Sequence, residues 1–380
     1  MTSEVVSSAG LDRSKAARLI KEKGLEGMLF TSPENVFYTT GAHTLPGTGN
    51  PILFALRGSL PTISYIDSSG MVTLFIWMGS TMGIEYKDQD VRTFIDRAGA
   101  EEELVSFLKE RVHEGSRIGI ESSCPWWALV KAEEALGTEG VVPADEIPLA
   151  LRIVKSPGEI DLLERATEIV EEGVADLKSS LRAGLSRMEL GQLARLRLTE
   201  RGATAVDHLT IAFGSANPEV LLDQALNEGQ LVTLDLGAVY QGYVSDNRRL
   251  FFLGSTVPEA TRKLHATLVG IVDAVGAALK PGVTFSEIFA LAVSLYEGEG
   301  LQPMFFHVGH SIGIQTEEAW ITGESSLKVQ EKMVLNIELY APDESGQMIG
   351  DEETYVIESD GSRRLTVSSR EIAAISPPSG

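Results

Sequence analysis

Two aspartates flank a short turn in the second half of this 380-residue chain. Asp235 and Asp246 lie on either side of Gln241-Gly242, within the segment LDLGAVYQGYVSD. A dipeptide of this kind between two apolar runs is consistent with a two-residue hairpin loop. The two carboxylates would then belong to neighbouring antiparallel strands.

The strand register follows from the position of that loop. It places Asp235 opposite Arg248 and Asp246 opposite Gly237. Since side chains alternate between the faces of a strand, the two carboxylates become diagonal neighbours on one face. Two anions held this close need a compensating cation, and a divalent metal ion is the natural candidate.

Three later residues could complete such a site. His310 lies in GHSIG, where the glycines permit close approach of the backbone. Glu338 interrupts an apolar strand, which is costly unless the acid is paired or binds metal. Glu352 opens the last strand-like run of the chain. Taken singly, these residues also fit ordinary roles, as turn formers, a hydrogen-bonded histidine or a solvated acid.

Taken together, four segments resemble the pita-bread metallopeptidases, the superfamily of Xaa-Pro dipeptidase, aminopeptidase P, methionine aminopeptidase and the metal-free creatinase. They are LDLGAVYQGYVSD, GHSIG, NIELY and DEETYVI. Upstream, SPENVFYTTG and LRIVKSPGEIDLLERA are similar to the prolidase and aminopeptidase P branch. The resemblance implies an α/β creatinase-like N-terminal domain over residues 1–150. An α+β pita-bread catalytic domain would follow over residues 151–380.

The resemblance also implies a ligand set and a chemistry. The metal ligands would be Asp235, Asp246, His310, Glu338 and Glu352. Oxygen-rich ligation with one imidazole suits two divalent ions, Mn²⁺, Co²⁺, Fe²⁺ or Zn²⁺. Such ions turn water into a hydroxide nucleophile, which would cleave a C–N bond of a small, dipeptide-like substrate. Glu338 would also carry the proton to the leaving nitrogen. The family relationship further implies a homodimer.

Several positions depart from the family's pattern. The stretch 214–219 lacks a histidine that usually follows a proline there, and Glu317 stands where a second histidine is usual. Asp-x-Thr-Arg becomes Asp246-Asn247-Arg248-Arg249, and Gly350 replaces an arginine. These positions concern groups that bind the substrate carbonyl. Two alternatives therefore stay open: a metal-dependent enzyme acting on a small amide or amidine, and a catalytically silent binding scaffold.

Three other histidines are candidates for the same site. His307 lies three residues before His310 and is a candidate catalytic group. His208 begins a strand-like run and could contact substrate. His43 lies in a loop that, in prolidase-like dimers, approaches the active site of the other subunit, and it is a second candidate substrate contact.

The elements that must position these residues follow from periodicity and turn signals. Ser156, Pro157 and Glu159 have the spacing of a capping box, which predicts a new helix after the domain boundary. Strands are expected at 51–56, 62–66, 71–77, 117–121, 208–213, 231–236, 243–252, 333–340 and 354–358. Helices are expected at 11–23, 101–112, 126–136, 160–181, 186–201, 258–279 and 286–297.

Composition excludes several classes of protein. The chain carries 54 acidic and 32 basic side chains, a net charge of -22. This excess repels phosphate backbones and anionic lipids, so neither nucleic acid nor a membrane surface is an expected partner. The single cysteine, Cys124, forms no internal disulfide and fits a reducing compartment. No signal peptide or membrane span is recognised, and a cytoplasmic location is expected.

Overall fold

The structure is a computed structural model that describes residues 4–218, 220 and 223–376. The chain divides into two compact units, Met1–Arg152 and Ile153–Gly380.

The first unit is an α/β sandwich built on a mixed sheet. Among the described residues the strand order is β6-β4-β3-β2-β7-β8, and a separate parallel pair joins β1 to β5. Strand β2 pairs antiparallel with β3 and parallel with β7. The strands are β1 Glu4–Val6, β2 Gly27–Phe30, β3 Ile63–Asp67, β4 Val72–Trp77, β5 Ile84–Tyr86, β6 Asp90–Phe94, β7 Ile118–Ile120 and β8 Val141–Pro143. The helices are α1 Arg13–Glu22, α2 Pro33–Thr40, α3 Pro51–Ala55, α4 Arg97–Arg111, α5 Trp126–Leu136 and α6 Glu146–Arg152.

One predicted strand of this unit is wrong. Residues 51–55 of that run form helix α3, because the Asn50 side chain accepts a hydrogen bond from the Ile52 amide and Pro51 occupies the first helical position. Both features favour a helix start. In the same way the Ser32 side chain accepts a hydrogen bond from the Asn35 amide and begins helix α2.

The second unit contains two five-stranded sheets among its described residues. In the first, the order is β11-β10-β12-β18, with β9 also pairing with β10; in the second it is β14-β13-β15-β16-β17. The strands are β9 Ala205–Phe213, β10 Leu231–Tyr240, β11 Tyr243–Val244, β12 Asn247–Leu253, β13 His307–Ser311, β14 Ala319–Thr322, β15 Val334–Pro342, β16 Met348–Ile357, β17 Ser362–Arg364 and β18 Ala373–Ile375. The helices are α7 Pro157–Lys178, α8 Arg187–Glu200, α9 Glu259–Ala278 and α10 Phe285–Gly298.

A pair of helices covers each sheet of this unit. Helices α7 and α8 pack on β10 and β9, whereas α9 and α10 pack on β15, β16 and β14. Apolar side chains of α7, α8, β9, β10 and β12 form the core under the first sheet. Strands β12 and β16 contact each other where the sheets meet. The polar site therefore lies on faces that the helices leave uncovered.

The predicted start of α7 is confirmed. Ser156 accepts a hydrogen bond from the Glu159 amide, and the Glu159 side chain accepts one from the Ser156 amide. Glu159 also accepts a hydrogen bond from the Tyr243 hydroxyl at 3.0 Å. This contact joins the first turn of α7 to the hairpin that carries the aspartates.

The predicted hairpin register is confirmed on both sides of Asp246, since Val239 pairs with Val244 and Leu236 with Asn247. Asp235 pairs with Arg248, and Gln241 and Gly242 both have positive φ, as a two-residue loop requires. Asp246 falls opposite Gly237 in this register but lies in the gap between β11 and β12, outside the ladder of strand pairs. Its carbonyl instead accepts a hydrogen bond from the Asn336 amide at 3.3 Å.

The position of Glu352 also differs from expectation. It lies in the middle of β16 rather than at the opening of a strand, and its side chain is 1% exposed. It pairs directly with Glu338 on β15. Across the described part of the chain, no helix is long and apolar enough to cross a membrane.

We expect Gly309→Ala to destabilise the strand that presents His310. Gly309 has φ of 150°, and a Cβ there would lie 2.1 Å from the Asn336 carbonyl oxygen. Strain of this kind costs about 1–3 kcal/mol. Urea denaturation should show that loss, whereas Gly298→Ala, where a Cβ meets nothing within 4 Å, should change stability by less than about 0.5 kcal/mol. Equal stability of both variants would contradict the close approach.

Candidate metal centre

The five predicted metal ligands come together at one end of a cavity in the second unit. The first sheet supplies Asp235 on β10 and Asp246 before β12, and the second supplies His310, Glu338 and Glu352 on β13, β15 and β16. His310 Nε2 lies 3.5 Å from Asp246 Oδ2 and 3.6 Å from Glu338 Oε1. The contact between the two sheets therefore assembles the cluster.

His208 enters the same cluster from β9. Its Nε2 lies 3.3 Å from Asp235 Oδ1 and 3.2 Å from Asp246 Oδ1. The pairing of β9 with β10 shifts register at Gly237, and such irregularities redirect side chains. A Cβ at Gly237 would lie 2.5 Å from the His208 ring, so only glycine leaves the ring its place. The N/O set of His208, Asp235 and Asp246 is close enough to hold a metal ion.

Arg248 lies on the other side of Asp235. Its Nη2 donates to Asp235 Oδ2 at 2.6 Å, and its Nε lies 3.9 Å from Glu352 Oε2. The guanidinium carbon is 4.3 Å from the centre of the Tyr340 ring, a cation–π contact. The side chain is only 9% exposed. A fixed positive charge is therefore built into the acidic cluster.

Asn336 supports the cluster from below. Its buried amide donates to Glu352 Oε1 at 2.8 Å and to the Asp246 carbonyl. Glu352 Oε2, by contrast, is buried and has no hydrogen-bond partner among the described residues. An oxygen of this kind suits a cation, because a buried carboxylate is stable only when its charge is compensated.

An aromatic wall borders the cluster beside Glu338. The Tyr340 hydroxyl donates to Glu338 Oε2, and His307 Nδ1 lies 3.4 Å from Glu338 Oε1. The His307 ring packs against Trp320 at 4.3 Å and stacks on Phe305 at 5.7 Å between centroids. The predicted catalytic pair, Glu338 and His307, is thus adjacent at the cavity surface.

The carboxylates respond to this crowding in different directions. Burial raises the pKa of Glu352 well above its usual value, and the charges of Asp246 and Asp235 raise it further. Burial and Asp246 likewise raise the pKa of Glu338. Burial would also raise the pKa of Asp246, but His208 and His310 outweigh it and hold that pKa well below normal. The cluster therefore has more negative charge than its own cations compensate.

The pKa values of the three histidines shift in different directions, depending on the charges beside each ring. Burial lowers the pKa of His310, but the hydrogen bond to Asp246 and the charge of Glu338 raise it overall to about 9. His208 behaves in the same way, since Asp246 outweighs burial and raises its pKa well above normal. His307 has no such compensation, and burial with the neighbouring His310 lowers its pKa to about 4. His307 is consequently neutral at pH 7, with a free nitrogen facing Glu338.

The cavity above the cluster has a volume of about 630 Å³. Its walls include Phe305 and Trp320 on one side and Asp207 and Thr316 on another. Glu317 also lines it, and burial raises the pKa of that carboxyl. This volume lies within the range of small-molecule sites.

One predicted residue lies elsewhere. His43 is an exposed residue of the first unit, in the loop between α2 and α3. Its substrate contact across a dimer stays a prediction.

Sequence reasoning placed Arg248 opposite Asp235 but assigned it no role. It also gave none to Asn336 or Tyr340. The signal was present in the motifs themselves: Arg248 replaces the family's threonine, and Gly350 lies beside it on the next sheet. A Cβ at Gly350 would lie 2.3 Å from the Tyr340 ring and 3.2 Å from Arg248 Cδ.

Two family models match the chain. Residues 161–359 match metallopeptidase family M24, and residues 13–154 match the creatinase/prolidase N-terminal domain. A similar protein is an Xaa-Pro dipeptidase of Pyrococcus horikoshii, 27% identical over 94% of this chain and 97% of the relative. An uncharacterized peptidase of Bacillus subtilis is 28% identical over 94% of this chain and 98% of its own length.

Solved structures agree on the fold. The prolidase of Pyrococcus horikoshii has a TM-score of 0.80 and 24% identity, covering 95% of this chain and 99% of the other. The dipeptidase PepE of Mycobacterium ulcerans has a TM-score of 0.82 and 22% identity, covering 96% and 97%. The predicted fold, a creatinase-like domain followed by a pita-bread catalytic domain, is confirmed.

We expect Asn336→Ala to destabilise the metal-free protein. The change removes the donor to Glu352 Oε1 in a buried setting. Leaving such an acceptor unsatisfied costs about 1–3 kcal/mol. Urea denaturation measures the loss, with Asn227→Ala as an exposed control expected within about 0.5 kcal/mol of the wild type. A neutral result at both positions would remove Asn336 from the support of the cluster.

Proposed function

The chain belongs to metallopeptidase family M24, and we propose that it is a metal-dependent hydrolase of Xaa-Pro dipeptides. The names of relatives that align over nearly the whole chain support this substrate class. The observation that carries the proposal is the convergence of four carboxylates and two histidines at the end of one cavity.

The donor set fits a divalent cation. Asp235, Asp246, Glu338 and Glu352 supply oxygen ligands and His310 a nitrogen ligand. Among the described residues, the buried Glu352 Oε2 accepts no hydrogen bond, and Arg248 Nε is 3.9 Å away. Imidazole and carboxylate together suit the predicted metals, Mn²⁺, Co²⁺, Fe²⁺ or Zn²⁺. When bound, such ions acidify water and polarise a carbonyl. We propose these five residues as the metal ligands.

Glu338 also has a role in proton transfer, and other residues of the cavity contact the substrate. Glu338 accepts a proton from the attacking water and passes it to the leaving nitrogen. His307 is neutral and lies 3.4 Å from Glu338, so it can share that proton or bind a substrate N–H. The rings of Phe305 and Trp320 offer an apolar wall for the substrate side chain. His208 and His43 are proposed substrate contacts.

The wider setting is also proposed. We assign residues 1–150 to a domain that limits access and residues 151–380 to the catalytic domain. A homodimer in the cytoplasm completes the proposal, with His43 contributed across the dimer. The acidic surface, with a net charge of -22, disfavours nucleic acid as a partner.

The substrate assignment is tested with dipeptides. Protein loaded with Mn²⁺ or Co²⁺ should hydrolyse Leu-Pro, Met-Pro or Gly-Pro, measured by release of free proline, and should prefer them to the matched Xaa-Ala dipeptides. Bound metal without turnover of any dipeptide would reject the peptidase assignment. It would point instead to another small amide or amidine as the substrate.

The ligand role of Asp246 is tested by Asp246→Ala. Its two oxygens face His208 and His310, so the variant should bind metal at least about 100-fold more weakly. Equilibrium dialysis with elemental analysis gives the affinity, and dipeptide turnover should fall with it. Asp360→Ala, at an exposed position, is the control and should match the wild type. Unchanged metal content in Asp246→Ala would refute the ligand role.

A further inference from the structure

Arg248 occupies a position in the cluster that a metal ion would otherwise take. Its guanidinium contacts Asp235 Oδ2 at 2.6 Å and faces Glu352 Oε2, with Nε at 3.9 Å. A cation bridging these two carboxylates would need the same oxygens. It would also lie beside a permanent positive charge in a buried setting, where repulsion is strong.

Three neighbouring features of the structure position the Arg248 side chain. The pairing of β12 with β10 places Arg248 directly opposite Asp235. The Tyr340 ring lies against the guanidinium at 4.3 Å. Gly350 lies behind both, and a Cβ there would meet the Tyr340 ring at 2.3 Å and Arg248 Cδ at 3.2 Å. Any side chain at Gly350 would displace the stack.

The other oxygen of Asp235 and one oxygen of Asp246 face His208 rather than Arg248. Asp235 Oδ1 and Asp246 Oδ1 lie 3.3 Å and 3.2 Å from His208 Nε2. Each aspartate thus divides its oxygens, since Asp235 Oδ2 contacts Arg248 and Asp246 Oδ2 faces His310. His208, Asp235 and Asp246 each offer one ligand atom, and these three atoms lie within 4.8 Å of one another, close enough to bind one ion.

Neighbouring residues also fix the position of the His208 ring. The register shift between β9 and β10 redirects His208 toward the aspartates. Gly237 gives the ring its space, because a Cβ there would lie 2.5 Å from His208 Nδ1. The Asp207 carboxylate lies 3.0 Å from that same Nδ1. A carboxylate behind a histidine fixes the ring and directs the other nitrogen to a metal.

We propose that this protein holds a single divalent ion on His208, Asp235 and Asp246, with Arg248 as a fixed cation in place of a second ion. The inference rests on the metal dependence in the proposed function. It replaces both the five-residue ligand set proposed there and the pair of ions that the family resemblance implies, because only Asp235 and Asp246 of those five remain ligands. His208 becomes a ligand rather than a substrate contact. Glu352 then serves as the partner of Arg248, and Glu338 stays free for proton transfer.

The test counts ions in metal-depleted protein dialysed against Mn²⁺. Elemental analysis should find one ion per chain in the wild type, with the six-line electron paramagnetic resonance spectrum of an isolated Mn²⁺. Arg248→Thr should admit a second ion and give a spin-coupled spectrum. Arg248→Lys keeps the charge and should stay at one ion. His208→Asn should weaken binding of the single ion at least about tenfold.

Two outcomes would overturn the inference: two ions in the wild type, or unchanged affinity in His208→Asn. A second ion bound by Arg248→Lys would also count against the inference. So would the absence of a second ion in a folded Arg248→Thr variant. Circular dichroism establishes folding, and if Arg248→Thr fails to fold, the wild-type count still decides. Dipeptide turnover separates this inference from the proposed function. Two ions with turnover reject only the single-ion site, whereas one ion without turnover rejects only the dipeptidase.

Discussion

The burial of four carboxylates where two sheets meet is the constraint on which the rest of the catalytic unit depends. Isolated charges of this kind are too costly to bury, so each must find a cation or a donor. Arg248, His208 and His310 supply positive charge, and Asn336 supplies a donor. These groups come from both sheets. The cluster is therefore complete only when the two sheets pack together.

Strand β16, which carries Glu352, bears a second set of charged side chains on its reverse face. Because side chains alternate along β16, Glu352 faces the acidic cluster while Asp351 and Glu353 face away from it. Arg249 Nη1 lies 3.1 Å from Glu353 Oε1, and Arg370 Nε lies 3.2 Å from the same oxygen. Arg370 also contacts Asp351. The Arg249 ion pair holds β16 against β12, and the Arg370 ion pairs hold β16 to the segment before β18, so that Glu352 has a fixed position in the site.

Local chemistry made part of this arrangement predictable. The capping box at Ser156 and the turn at Gln241-Gly242 depend on neighbouring residues, and both were read correctly. Residues 51–56 were misread as a strand because their apolar run outweighed the cap at Asn50. The middle position of Glu352 was missed for a different reason. The polar residues of β16 are paired across sheets, and such partners leave no local pattern.

The sequence by itself determined the fold family and predicted the ligand types and their order, because these are carried by short motifs and their spacing. The hairpin register also placed Arg248 opposite Asp235, but only the tertiary structure decided that the Arg248 guanidinium and the His208 ring contact Asp235. His208 reaches the two aspartates across a register shift beside Gly237, and Arg248 reaches Asp235 beside Gly350 on the other sheet. In each case the space is created by a missing Cβ on a strand distant in sequence. Linear spacing therefore carried no information about it.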